Sequence, residues 1–133
     1  MDRFRRPGVA WEASPMADDT VWAAIDDLST WLDAHQAHPG REGLLMRVLK
    51  LAEEVGEVAQ AVIGATGQNP RKGTTHTWDD VQSELCDVAL TAMVALRALT
   101  PDTREVFTAH LERVRERSLG GPAASAAPLP GRD

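Results

Sequence analysis

Two short acidic clusters hold the side chains best suited to chemistry. Glu53, Glu54 and Glu57 form the first, and Glu84 and Asp87 the second. Glu54 and Glu57 are three positions apart, as are Glu84 and Asp87. On a helix that spacing sets each pair on one side, within reach of a common point. With Leu44 at zero and about 100° per residue, Glu54 falls near ~280° and Glu57 near ~220°. With Val81 at zero, Glu84 falls near ~300° and Asp87 near ~240°. Both pairs flank an apolar stripe on the same side, so two packed helices can converge four carboxylates beside their seam. Like charges that close raise one another's pKa, and a divalent cation removes the penalty. All-oxygen ligation suits Mg²⁺, with Mn²⁺ able to substitute. Carboxylate-bridged iron bundles use Glu-x-x-His pairs, and neither pair here ends in His. The competing reading is that both pairs belong to solvated helix faces.

The elements that must position these residues read as helices. Tyr is absent, Phe occurs twice, and Ala, Val and Leu dominate, which disfavours strands. A first helix is expected over about residues 18–35, with Val21, Ile25, Leu28, Leu32 and His35 on one face. A second is expected over about 41–63. Its stripe is Leu44, Val48, Leu51, Val55, Val58 and Val62, with Leu45, Leu49, Ala52, Ala59 and Ile63 beside it and Gly64 as the stop. A Gly/Asn/Pro-rich loop covers 64–77. A third helix runs from Thr77, its cap, to about Leu99 along Val81, Leu85, Val88, Ala92, Ala95 and Leu99. Thr100-Pro101 opens a fourth, which reaches about Ser118 and buries Phe107, Leu111 and Val114. Residues 1–17 read as an irregular segment, 18–119 as one helical domain and 120–133 as a flexible tail.

The 133 residues suffice for one domain with its own core. A single cysteine, Cys86, excludes an internal disulfide and a Cys-based zinc site, fits a reducing cytoplasm, and is expected to point into packing. No apolar run approaches the roughly 20 residues that span a bilayer, and no apolar signal core follows the basic start. The formal net charge of −6 argues against a nucleic-acid binder. It does not exclude a nucleotide as ligand, because a bound cation reverses the local field.

Around the acids, Lys50 lies on the Glu54 side of its helix and can reach a phosphate or simply pair with Glu54. Arg71 and Lys72, on the central loop, can close over phosphates or remain solvated. Trp22, Trp31 and Trp78 are candidates for stacking on a base, with core packing as the alternative. Trp78 is the one assigned to substrate. His35 and His76 have no partner identifiable from sequence.

The run Lys50-Leu-Ala-Glu-Glu-Val-Gly-Glu-Val-Ala59, followed by Glu84-Leu-Cys-Asp87, resembles the Glu-Glu-x-x-Glu … Glu-x-x-Asp motif of the MazG-like nucleotide pyrophosphohydrolases. Dimeric all-α dUTPases, dCTP pyrophosphatases and phosphoribosyl-ATP pyrophosphohydrolase belong to the same superfamily. The resemblance covers about residues 20–100. It implies an all-α bundle of four to five helices, assembled as a homodimer or homotetramer. It implies Glu54, Glu57, Glu84 and Asp87 as Mg²⁺ ligands, with Glu53 and Glu54 serving the attacking water. The implied reaction converts a nucleoside triphosphate and water to the monophosphate and pyrophosphate, possible substrates including noncanonical nucleotides. Phosphoribosyl-ATP is the alternative substrate, and a non-catalytic acidic helical module the alternative class.

Overall fold

A computed structural model of the chain describes residues 15–120, and side chains from residue 18 onward. Among the described residues the protein is all-helical. Its elements are α1 (Pro15–His35), α2 (Gly40–Thr66), α3 (Trp78–Leu99) and α4 (Thr103–Leu119). The chain divides into two compact units, one ending at Leu99 and the other beginning at Thr100. The irregular start and flexible tail expected from sequence lie outside the described residues, except that Pro15–Ala17 are already helical and Gly120 follows α4. None of the described helices is long and apolar enough to cross a membrane.

In the first unit α2 packs most extensively on α3, and α1 also packs on α3. α2 does not stop at Gly64, as its sequence suggests, but runs to Thr66. Gly67 then takes the left-handed conformation (φ 64°), and the Gly67 and Gln68 amides donate to the Gly64 and Ile63 carbonyls. These are the paired bonds of a Schellman ending. Gly64 serves a different purpose. A Cβ there would collide with the His76 ring and lie 2.5 Å from Thr75 Oγ1. The returning loop therefore sits directly on α2, joined by the Thr75 amide donating to the Gly64 carbonyl at 3.0 Å.

α3 begins as expected at a Thr77 cap. The Asp80 amide donates to Thr77 Oγ1 (3.2 Å), and the Thr77 amide donates back to Asp80 Oδ2 (2.7 Å). This reciprocal pair is a capping box. The Thr77 amide, then the Thr77 hydroxyl, hold the Asp80 carboxyl below its ordinary range. α4 starts two residues later than its sequence suggests. Thr100 Oγ1 accepts from the Asp102 amide, and the buried Thr103 donates its hydroxyl to the Thr100 carbonyl, so 100–102 form a turn before the helix. On α4, Phe107 and Val114 are half-buried, but Leu111 is exposed rather than buried.

The core is small. Ile25, Ala61, Val81, Val94 and Ala95 are its buried apolar residues, and no large side chain is fully buried among the described residues. The expected stripes are kept in part: Leu44, Leu51, Val58 and Val62 of α2 and Val88 and Ala92 of α3 are half-buried, and Val81 and Ala95 are buried. The buried line of α2 runs through Gly43, Glu54, Ala61 and Gly64, while Leu45, Val48, Leu49, Val55 and Ile63 face outward. Small residues on that line allow close approach to the neighbouring chain, and the roll carries Glu54 inward. On α3, Leu85 and Leu99 of the expected stripe are exposed, and on α1 Val21 and Leu28 are exposed while Ile25 is buried.

Candidate metal centre

The roll of α2 toward α3 determines where the carboxylates go. The chain reverses through residues 67–77, and Glu54 meets Glu84 and Asp87 on the returning helix. One oxygen from each of Glu54, Glu84 and Asp87 lies within 4.8 Å of the other two. Glu54 is buried, Glu84 half-buried and Asp87 exposed, so the cluster runs from the helix seam to solvent. Glu57, one turn along α2, hydrogen-bonds to Glu54. That bond, followed by the Glu54 charge, burial and the Glu84 charge, pushes the Glu57 carboxyl above its ordinary range. Glu57 thus adjoins the trio, although the three closest oxygens do not include its own.

Lys50 closes the cluster on the other side. Its Nζ lies 2.9 Å from Glu53 Oε2 and 3.0 Å from Glu54 Oε1. Hydrogen bonds to Glu53 and then Glu54 hold the ammonium firmly protonated, above its ordinary range. Glu53 itself is exposed and engaged with Lys50, the same ammonium that meets Glu54.

The donor set fits a hard divalent cation. Three carboxylates, with a fourth beside them, supply oxygen and no nitrogen or sulfur. Opposite ligands of an octahedral Mg²⁺ stand about 4.2 Å apart, twice the usual bond length. Three oxygens cannot all be opposite one another, and adjacent ones stand about 3 Å apart, so a spread of up to 4.8 Å closes onto one ion only as the side chains draw inward.

Beside this cluster lies an apolar cavity of about 450 Å³ between α1, α2 and α3. Leu28, Trp31, Met46, Leu90 and Val94 line it, and Lys50 stands on its wall. Trp31 stacks on His35, with ring centroids 4.5 Å apart, and the Trp31 carbonyl lies 2.7 Å from His35 Nδ1. A residue bridging an apolar cavity and a carboxylate cluster is well placed to serve both ends of an amphipathic ligand.

Other candidates are placed elsewhere. Arg71 and Lys72 sit in a turn in which the Arg71 amide donates to Asn69 Oδ1, and the Lys72 and Gly73 amides to the Asn69 carbonyl. Lys72 lines a separate cavity with Gln60, Asn69 and His76 at the end of α2. Among the described residues neither basic side chain forms an ion pair with the carboxylates. Trp78 opens α3 half-exposed and is not among the residues lining the apolar cavity. Trp22 donates its indole N–H to Asp18 at 3.1 Å. Cys86, expected in packing, is exposed.

Sequence reasoning missed Arg47 and Arg97. They pair with Asp33 (2.6 Å) and Asp26 (2.7 Å) and tie α1 to α2 and to α3. No local motif marks either residue. The chain matches no protein-family model, no curated protein and no solved structure.

Proposed function

We propose that this protein is a Mg²⁺-dependent nucleoside triphosphate pyrophosphohydrolase. The observation that carries the reading is the convergence of Glu54, Glu84 and Asp87 from two helices, beside an apolar cavity that shares Lys50 with the cluster. The resemblance of the two acidic motifs to the MazG-like pattern supports the same reaction class.

In this reading Glu54, Glu84 and Asp87 would hold the cation, with Glu57 beside them as a further oxygen donor. Bound Mg²⁺ supplies charge neutralisation for the phosphates and lowers the pKa of water. Lys50 exchanges a carboxylate partner for a phosphate oxygen when substrate arrives, and Glu53 keeps it in position until then. Water attacks a phosphorus of the triphosphate chain, and the bond to the pyrophosphate oxygen breaks. The proton lost by water passes to a carboxylate of the cluster. The apolar cavity takes the base, with Trp31 as its aromatic wall. Positioning and electrostatics provide the rate enhancement.

A screen of canonical and modified (deoxy)nucleoside triphosphates for pyrophosphate release, with Mg²⁺, Mn²⁺ or EDTA, tests this directly. Metal-dependent release from one or a few substrates is expected. No release from any of them would refute the proposal.

A second copy of the chain completes the protein in this reading. Leu45, Val48, Leu49, Val55 and Ile63 form an apolar strip along the outer face of α2, the kind of surface that marks an interface. Sedimentation at micromolar concentration is expected to give a species of at least twice 14.4 kDa. A monomer under those conditions would remove the oligomer from the account.

A further inference from the structure

A different cavity, of about 260 Å³, is polar and was not foreshadowed by any motif. Ser29, Asp33 and Gln36 line it from α1 and its exit, Arg47 from α2 and Arg97 from α3. Arg47 is anchored through Nη2 to Asp33, and Arg97 through Nε to Asp26. The terminal Nη1 and Nη2 of Arg97 consequently have no acceptor among the described residues. Asp26 is not part of the lining. The wall presents two guanidinium groups, each balanced by one carboxylate, and what it offers an anion is the remaining N–H donors rather than net charge.

Ser29 supplies a second, independent observation. It is only 4 % exposed, and its hydroxyl has no hydrogen-bond partner. Buried hydroxyls nearly always find one; this oxygen lies closed to solvent behind the cavity wall, and a change of side-chain rotamer would bring it to a bound oxygen. Guanidinium forks match the oxygens of phosphate and similar anions. The volume is below that of sites for drug-sized ligands and is suited to one phosphoryl-sized group with its hydration.

We propose that this cavity binds a phosphate-type oxyanion between Arg47 and Arg97, with the Ser29 hydroxyl as a further donor. The site does not depend on the reaction proposed for the carboxylate cluster. Its anion can be free phosphate, or the phosphoryl end of a larger ligand. The second source is open to it because Gln36 and Arg47 also line the neighbouring apolar cavity, which can take an aromatic body.

Calorimetric titration of the full chain with inorganic phosphate and with phenyl phosphate, at constant ionic strength set by chloride, tests the site. Saturable binding of at least one probe is expected. Arg97→Met should weaken it by at least about tenfold, and Ser29→Ala by several-fold. Asp26→Asn removes the same α1–α3 ion pair but keeps the guanidinium, and should retain binding within a few-fold. Phenyl phosphate binding about tenfold tighter than phosphate would assign the group to a larger ligand. Equal affinities would assign it to the free anion. No saturable response to either probe up to about 10 mM would overturn the site. So would binding insensitive to Arg97→Met, or equal loss in Arg97→Met and Asp26→Asn.

Discussion

Asp87→Asn is expected to reduce Mg²⁺-dependent pyrophosphate release by roughly 10³-fold, equivalent to about 4 kcal/mol of transition-state stabilisation. The same substitution should raise the thermal midpoint of the metal-free protein. Without a cation, Glu54, Glu84 and Asp87 repel one another across less than 4.8 Å, and an amide at position 87 removes part of that repulsion. Activity and metal-free stability therefore move in opposite directions, which a merely disruptive substitution would not produce. Asp87 is exposed, so the exchange leaves no buried group unpaired, and the helical circular dichroism should be unchanged. Glu84→Gln should act in the same sense. Steady-state turnover measured beside thermal melting with and without Mg²⁺ decides the matter. Wild-type turnover in Asp87→Asn would mean that the residue is not a ligand.

The second large effect concerns pH. The Glu57 carboxyl is raised above its reference value of 4.5, first by its hydrogen bond to Glu54 and then by the Glu54 charge. A carboxyl raised in the folded state adds stability below its unfolded pKa and loses that contribution as pH climbs through the raised value. The metal-free protein should therefore lose stability, relative to Glu57→Gln, as pH rises upward from 4.5. Metal binding must expel the proton, because Glu57 joins the shell as a carboxylate. Apparent Mg²⁺ affinity is thus expected to rise about tenfold per pH unit below the raised pKa and to level off above it. Calorimetry in two buffers of different ionisation enthalpy counts the proton released. Below the raised pKa, wild-type protein should release more protons on binding Mg²⁺ than Glu57→Gln does. A pH-independent affinity in the acidic range would show that Glu57 does not carry the linked proton.

Much of the carboxylate cluster was legible in the sequence. The three-residue spacings in Glu54/Glu57 and Glu84/Asp87 define which side chains share a helix side, and the structure brings three of the four within one small volume. The loop cations show the limit of that reasoning. Arg71 and Lys72 lie in a plausible phosphate-closing loop, yet the turn around Asn69 directs Lys72 to another cavity. The polar cavity was invisible for a related reason. Arg97 and Asp26 are 71 positions apart, and no sequence period links residues on three different helices.

From the sequence alone came four helices, their approximate limits, the Thr77 cap and the acidic spacings, because each depends on contacts within a few residues along the chain. Which face of α2 is buried was a tertiary decision. Two adjacent apolar stripes satisfy the same helical period, and only the position of α3 selects between them and the line of small residues through Glu54. That choice turns Leu45, Leu49 and Ile63 outward and Glu54 inward. It follows from close packing at Gly43, Ala61 and Gly64, where helix and loop approach too closely for larger side chains, and such fit exists only once the neighbouring chain is in place.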